Sequence, residues 1–147
     1  MKNAFLMILL LAIVPSAKCQ SGGVEDDHWF KVVEDEVVIF SARRGSLEVV
    51  QESDRNKLAS AIFRLENKDS GRISFYKYKV SDSDCNKGYG IIKLTALDDT
   101  LISSSGFVKD GGDNGSAIAL SLCIAMRTRT AAEGSTAEKN AEAQADK

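Results

Sequence analysis

The sequence predicts an α+β fold, in which an antiparallel meander sheet of about six strands carries one C-terminal helix on a face. Residues 28–108 mostly alternate apolar and polar side chains with the period of two that half-buried strands show. Residues 116–127 change to an Ala/Leu-rich segment without Pro or Gly, which is typical of a helix. A disulfide between Cys85 and Cys123 is expected to tether this helix to the sheet.

The first residues have the layout of a cleaved secretory signal. Lys2 precedes an uncharged apolar run of about eleven residues, which is too short to cross a bilayer core of roughly 30 Å as a helix. Ala17 and Cys19 provide the small residues that cleavage before Gln20 requires. Residues 1–19 are therefore predicted to be a signal peptide. The protein is predicted to be periplasmic or secreted, with no transmembrane segment in the mature chain.

Cys19 also has a second interpretation, as the acylated first residue of a bacterial lipoprotein. That processing needs a small residue directly before the cysteine, and this chain has Lys18 there. Lipid anchoring at Cys19 is therefore not expected, and Cys19 should leave with the signal peptide.

The mature chain has the length of one domain and an acidic balance. Removal of residues 1–19 takes two lysines and no acid, which leaves 17 basic residues (19 − 2) against 21 acidic ones. The resulting net charge near −4 (17 − 21) does not favour nucleic acid or anionic lipid as a partner. Cys85 and Cys123 remain, and an even cysteine count in an exported chain predicts a disulfide rather than a metal site or a catalytic thiol.

Composition divides the mature chain into three parts. Residues 20–27, "QSGGVEDD", are expected to be a flexible lead because they are polar and contain two glycines. Residues 128–147 contain no apolar residue larger than Ala, so they can bury little surface and are expected to be a disordered tail or a fraying helix. The single α+β domain is therefore predicted over residues 28–127.

Short apolar segments separated by polar turns indicate the individual strands. Turn signals include "RRG" at 43–45 and "NKDSG" at 67–71. The segment 57–66 alternates like a strand, and a helix is the less favoured alternative there. The segments with a strand pattern are 28–33, 36–42, 46–51, 57–66, 72–80, 88–97 and 100–108.

The segment 72–80, "RISFYKYKV", is the clearest strand and holds the best candidate for a binding surface. Alternation places its lysines and its tyrosines on opposite faces. One interpretation, which is favoured, has the aromatic residues packed in the core while the lysines reach solvent. The other has the strand bind an anionic polymer or a protein partner. The candidate surface comprises Arg72, Tyr76, Lys77, Tyr78 and Lys79, with Arg43, Arg44 and Arg64 as further cations.

Residues 116–127, "SAIALSLCIAMR", are predicted to form the helix, and a final strand is the alternative. Asn114 or Ser116 can cap the helix N-terminus. A bond between Cys123 and Cys85 would close a segment of 38 positions (123 − 85), which a loop-entropy treatment values at about 3–4 kcal/mol. At helical spacing, one face of this segment carries Ala119, Leu122, Cys123 and Met126, and this face is predicted to be buried.

The chain lacks a recognisable catalytic or metal-binding set of residues. His28 is the only histidine, so the sequence offers neither a histidine pair for zinc nor a base with an evident orienting partner. Asp110, Asp113 and Asn114 offer oxygen ligands to calcium, but the EF-hand spacing and its closing Glu are absent. We therefore expect no enzymatic activity and no cofactor.

Several of these features follow one another in a distinctive order. An aromatic "HWF" with Trp29 opens the first strand, "VVIF" follows, and an aromatic strand leads to Asp84-Cys85. "GYGIIKL" comes next, and a Gly-rich loop precedes "GSAIALSLC", which contains Ala119 and Cys123. In order and spacing this pattern resembles the surface-adhesin protein E-like family of small Gram-negative envelope proteins, over about residues 28–125.

The resemblance implies a fold and a kind of partner. The fold is an antiparallel sheet with a C-terminal helix held across its concave face by the Cys85–Cys123 bond. The family includes a lipid-anchored adhesin that binds host matrix proteins and plasminogen and can dimerise, so the resemblance implies a protein partner and allows a homodimer. Lys18 before Cys19 and the long Ala/Glu tail depart from the family pattern.

Two functions fit the sequence. The first is an exported, non-enzymatic cell-envelope or secreted binding protein, whose ligand the sequence does not specify. The alternative is a periplasmic immunity-type inhibitor of a toxin or enzyme, because small, exported, acidic domains with one disulfide also fill that role. An enzyme is the least favoured class.

Overall fold

The computed structural model describes residues 28–145, with side chains described over residues 28–133. The predicted signal peptide (1–19), with Cys19, and the predicted flexible lead (20–27) lie outside the described residues. The described elements, in chain order, are β1 Trp29–Glu34, β2 Val38–Arg43, β3 Glu48–Ser53, β4 Asn56–Asn67, β5 Ile73–Ser81, α1 Asp82–Lys87, β6 Tyr89–Thr95, β7 Leu101–Val108 and α2 Asn114–Ala145.

The seven strands form one antiparallel sheet in the order β1-β2-β4-β5-β6-β7, with β3 paired to β4. β2 pairs with residues 63–67 of β4, and β3 pairs with residues 56–60. Because β5 occupies the other edge of β4, β2 and β3 lie end to end on the same side. The sheet is therefore six strands wide, which confirms the predicted α+β meander with a helix on one face.

The longest strand, β4, extends over 12 residues, so the helical alternative for residues 57–66 does not occur. Ala59, Ala61 and Phe63 are buried on the side that meets α2. The residues between them point to the opposite side, as the period of two requires. Neighbouring strands pair with both edges of the β4 backbone, so its position in the sheet is central.

The core lies between the sheet and α2. Ala61 of β4 pairs with Tyr78 of β5, and this pair lies on the helix side. The ring of Tyr78 meets the ring of Phe63 edge to face, with the centroids 5.2 Å apart. The buried apolar residues are Phe40, Ala42, Ala59, Ala61, Phe63, Val80, Cys85, Ile92, Phe107, Ile118, Ala119, Leu122, Cys123 and Met126.

A short helix, α1, joins β5 to β6, and the sequence analysis did not predict it. Ser81 caps it, because the Ser81 hydroxyl accepts a hydrogen bond from the Asp84 amide at 3.1 Å. Gly88 ends it in the left-handed conformation, with φ of 79°, which glycine adopts without strain. Cys85 is thus buried on a helix rather than in a turn between strands.

Asp113 caps α2, and neither of the two predicted caps does so. The Asp113 carboxylate accepts a hydrogen bond from the Ser116 amide at 2.9 Å and another from the Ser116 hydroxyl at 2.6 Å. These bonds lower the pKa of Asp113, the Ser116 hydroxyl contributing most. The side chain of Asn114, one of the predicted caps, instead donates to Asp35 in the β1–β2 turn.

The helix α2 continues past Arg127, where the sequence analysis placed the end of the domain. It ends at Ala145, so residues 128–145 take the helical one of the two alternatives predicted for them, and the disordered tail is not found there. Ala, Glu, Lys and Gln dominate the far end of this segment, and their high helix propensity accounts for the extension. Within residues 28–145, no helix combines the length and the apolarity that crossing a bilayer requires.

The disulfide joins the two helices. Cys85 of α1 bonds Cys123 of α2, with the two Cα atoms 5.5 Å apart. Arg127 adds a second link, because its guanidinium donates to the backbone oxygen of Cys85 at 3.0 Å. The predicted tether between the C-terminal helix and the sheet is confirmed, and α1 is the part that receives it.

Candidate functional site

The helix covers one side of the sheet, and the opposite side carries an unusual set of side chains. We call the side away from α2 the open face. Side chains alternate between the two sides of a strand, so the open face receives the residues of β4 and β5 that lie between those buried against α2. In the middle of these two strands the open face carries Ser60, Ile62, Arg64, Phe75, Lys77 and Lys79, with Glu66 and Ile73 beyond one end and Leu58 and Ser81 beyond the other.

A cluster of two aromatic rings and one cation lies on the open face; we call it the aromatic cluster. The Arg64 guanidinium carbon is 5.3 Å from the centroid of the Trp29 ring, within the range of a cation–π interaction. The rings of Trp29 and Phe75 lie 5.6 Å apart and are tilted by 39°. Phe75 is 46% exposed, so the cluster presents an apolar surface to solvent.

Two lysines beside this cluster share one carboxylate. Asp99 Oδ1 lies 3.0 Å from the Nζ atom of Lys77 and 3.0 Å from that of Lys79. Hydrogen bonds from Lys77 first and Lys79 second hold the pKa of Asp99 below its usual value. The lysine side chains are only 16% and 18% exposed, whereas Asp99 is 52% exposed. One solvent-facing carboxylate therefore faces two largely covered cations.

Next to Lys77, the break between β2 and β3 opens a cavity of about 310 Å³, which we call the strand-break cavity. Five residues, 43–47, stand opposite only two residues of β4, so the strand pairing is interrupted there. Arg43, Arg44 and Lys77 bring positive charge to the lining, and Glu48 brings one negative charge. The cavity is thus a basic recess in the sheet.

Ser46 holds the break in shape. Its hydroxyl donates to the backbone oxygen of Arg43 at 2.8 Å and accepts from the Ile62 amide at 3.0 Å. The second bond satisfies an amide of β4 that has no strand partner at the break. Gly45 takes a φ of 74°, which turns the chain out of the sheet before β3 begins.

The structure divides the residues of the predicted binding surface between two faces. Lys77 and Lys79 lie on the open face, together with Arg43 and Arg64 from neighbouring strands. Arg44 joins them at the strand-break cavity. Tyr76 and Tyr78 point to the helix side, and burial raises the pKa of Tyr78 to about 12. Arg72 precedes β5 in an exposed loop.

Further along the sheet, the open face carries exposed apolar side chains on β6 and β7. On β6 and β7, Tyr89 pairs with Val108, and both are more than half exposed, at 61% and 58%. Ile91 is 53% exposed on the same side. Apolar patches of this kind on a folded domain mark surfaces that meet other molecules.

The sequence analysis missed Trp29, Phe75, Asp99 and Ser46 as parts of the site. Trp29 and Phe75 come from strands that β2 and β4 separate, so only the order of the sheet brings their rings together. Asp99 takes a positive φ of 73°, and the "DD" turn before β7 was a usable signal for that conformation.

His28 and Asp113, which the sequence analysis considered for catalysis and for calcium binding, make other contacts in the structure. His28 is exposed at the start of β1, and its backbone oxygen accepts from the Arg44 amide at 2.7 Å. Among residues 28–133, no group of three or more His, Cys, Asp or Glu side chains is placed to hold a metal ion. Asp113, a calcium candidate in the sequence, instead caps α2.

Comparisons with known proteins add no relative: no family model, curated protein or solved structure matches this chain.

Proposed function

We propose that this protein is an exported, non-enzymatic binding protein of the cell envelope or the secreted fraction, and that it binds a partner protein through the open face. The observation that carries the proposal is the contrast between the two sides of the sheet. The helix side is buried against α2, whereas the open face carries aromatic rings and cations, of which Phe75 and Arg43 are exposed to solvent. Aromatic residues and arginine are enriched where proteins meet their partners.

Charge distribution indicates the chemistry of the partner. The whole chain has a formal net charge of −2, yet the middle of the open face concentrates positive side chains. Asp99 and Glu48 offset only part of this charge. A partner surface that combines acidic and apolar side chains would complement it. The positive side chains in the middle of the open face are Arg43, Arg64, Lys77, Lys79 and Lys93.

The disulfide supports the exported part of the proposal. Disulfides persist in oxidising compartments and are rare in the reducing cytosol. Cys85 and Cys123 are bonded to each other and buried, with 6% and 4% of their surfaces exposed. A buried structural bond of this kind fits a protein that works outside the cytoplasm.

The resemblance to the surface-adhesin protein E-like family stays a prediction, and the fold it implies is compatible with the observed one. A homodimer also stays a prediction. The uncharged edge strand β7, "LISSSGFV", is the segment best suited to pair with a second copy. The immunity-type inhibitor remains the alternative from the sequence, without a structural feature that favours it.

The test compares variants on opposite sides of the molecule. The mature protein is immobilised and exposed to envelope and secreted fractions, and captured proteins are quantified by mass spectrometry. Phe75→Ser removes an exposed ring from the open face, whereas the matched control Ile124→Ser removes an exposed apolar side chain from α2. We expect Phe75→Ser to lose the captured partner and Ile124→Ser to keep it.

Two results would contradict the proposal. One is the absence of any protein captured more strongly by the wild type than by Phe75→Ser. The other is an equal loss for Ile124→Ser, which would place the binding surface elsewhere. Circular dichroism of both variants separates loss of binding from loss of folding.

A further inference from the structure

The strand-break cavity has the properties of a preformed site for one acidic group. Its walls are fixed by the two hydrogen bonds of Ser46, so the recess does not depend on a bound molecule for its shape. Its volume of about 310 Å³ lies at the lower end of the range of about 300–1,000 Å³ that small-ligand sites occupy. A recess of this size suits a single side chain.

The charges around the cavity are unbalanced. Arg43 and Arg44 are exposed at its rim, and within residues 28–133 no carboxylate lies at ion-pair distance from either of them. Lys77 lines the same cavity from β5. Guanidinium groups bind carboxylates through two parallel hydrogen bonds, which gives an arginine-lined recess a preference for them.

Asp99 already supplies a carboxylate to one of these cations. Its Oδ1 atom lies 3.0 Å from Lys77 Nζ and is shared with Lys79. Asp99 stands in the exposed turn between β6 and β7 rather than in the sheet. A carboxylate from outside would therefore meet an internal competitor at Lys77.

We propose that the strand-break cavity binds a carboxylate side chain of the partner protein, through Arg43, Arg44 and Lys77, and that Asp99 competes for Lys77. This assignment rests on the proposed function, because it names the group of the partner that the open face recognises. Asp99 thereby sets a threshold of affinity for binding at the cavity. Only a partner segment that also gains contacts with Arg43 or Arg44 displaces the Asp99 carboxylate from Lys77.

The first test measures the binding of poly-L-glutamate to the mature protein by isothermal titration calorimetry. Arg44→Gln removes one cation of the cavity, and the matched control Arg72→Gln removes an exposed cation outside it. We expect Arg44→Gln to weaken binding by about tenfold, the loss of one hydrogen-bonded charge pair. Arg72→Gln should leave the affinity close to that of the wild type. Equal effects of both variants would overturn the assignment.

The second test addresses the competitor. Asp99→Asn removes the shared carboxylate, and asparagine tolerates the positive φ at this position. Asp98→Asn makes the same change in net charge at the neighbouring residue, whose carboxylate accepts from the Thr100 amide. We expect Asp99→Asn to tighten the binding of poly-L-glutamate and Asp98→Asn to leave it little changed. If both variants tighten the binding of poly-L-glutamate equally, the effect comes from net charge alone, and the proposed role of Asp99 as a competitor is overturned.

Two further arms identify the class of acidic group and separate this inference from the proposed function. Heparin, a sulfated polymer, is titrated under the same conditions. If heparin binds more tightly than poly-L-glutamate with the same dependence on Arg44, the assignment to a protein carboxylate is contradicted. If poly-L-glutamate does not bind while Phe75→Ser still abolishes capture of a partner, the carboxylate site is wrong and the proposed function stands.

Discussion

At the scale of single residues, the shared carboxylate of Asp99 illustrates what alternation along a strand does and does not predict. The period of two along β5 places Lys77 and Lys79 on one face and Tyr76 and Tyr78 on the other, as the structure finds. The meeting of Asp99 with both lysines depends on how the β6–β7 turn folds back beside β5. The spacing of these residues in the sequence does not predict that Asp99 lies close to the two lysines.

Five carboxylates with lowered pKa values predict a loss of stability in acid. Hydrogen bonds from Lys31 first and Lys68 second lower the pKa of Glu34 to about 2, and the pKa values of Asp35, Asp98, Asp99 and Asp113 are also lowered. Because each folded pKa lies below its unfolded value, these groups stabilise the fold above about pH 4–5 and lose that contribution as the pH falls further.

The measurement is the midpoint of urea unfolding as a function of pH. We expect it to be steady from about pH 7 to about pH 5 and to fall from there toward about pH 2. Glu34→Gln, which removes the carboxylate with the largest shift, should flatten the fall. A midpoint that does not change over this range would contradict the assigned ion pairs.

Gly90 offers a test of how closely α1 approaches β6. A Cβ atom at this position would lie 2.2 Å from Asp84 Cγ and 2.3 Å from Asp84 Cβ, so rotation of the Asp84 side chain cannot relieve the clash. We expect Gly90→Ala to destabilise the protein by about 1–3 kcal/mol in urea unfolding. In the matched control Gly112→Ala, the new Cβ meets no atom within 4 Å, and stability should be unchanged or slightly higher. Equal stabilities of the two variants would contradict the packing of α1 on β6.

At the scale of secondary-structure elements, long periodic segments were predictable and short, capped ones were not. The strands and the start of α2 follow from hydrophobic period alone. The six-residue helix α1 is too short to show a period, and its only signals are the Ser81 and Asp84 of a capping motif and the closing Gly88. The extension of α2 to Ala145 was predicted only as the alternative of a fraying helix, because burial, rather than helix propensity, was used to place the end of the domain.

The cap of α2 yields a prediction at the scale of this element. Asp113→Ala removes both hydrogen bonds to Ser116 and should destabilise the protein by about 1–2 kcal/mol, as loss of an N-cap does. Asp110→Ala, which removes an exposed carboxylate from the same loop, is the matched control. Urea unfolding measures both variants. If Asp110→Ala costs as much as Asp113→Ala, the loop charge matters and the cap does not.

At the scale of the whole molecule, the sheet, the helix on one face and the disulfide were all predictable, whereas the open face was not. Cysteine count and export signals predict one bond, and short polar turns predict an antiparallel meander, although β2 pairs with β4 rather than with β3. The aromatic cluster and the strand-break cavity depend on register, because they join β1, β4 and β5 or interrupt the pairing of β4. A single sequence carries that register only weakly.

The disulfide is the feature on which this division into two faces depends. It closes a loop with a sequence separation of 38, worth about 3–4 kcal/mol in the loop-entropy treatment. A domain of this size is stable by only about 5–15 kcal/mol, so the bond is a large share of its stability. The bond holds α2 against α1 on one side of the sheet, and the opposite side is the surface for which we propose a partner.

The most direct test is peptide mapping of the purified protein without reduction, after free thiols are blocked with an alkylating reagent. We predict a single disulfide-linked species that joins the peptide containing Cys85 to the peptide containing Cys123, with neither residue alkylated. Recovery of both cysteines as alkylated, unlinked peptides would contradict the tethered helix, and the assignment of the opposite face to binding would lose its structural basis.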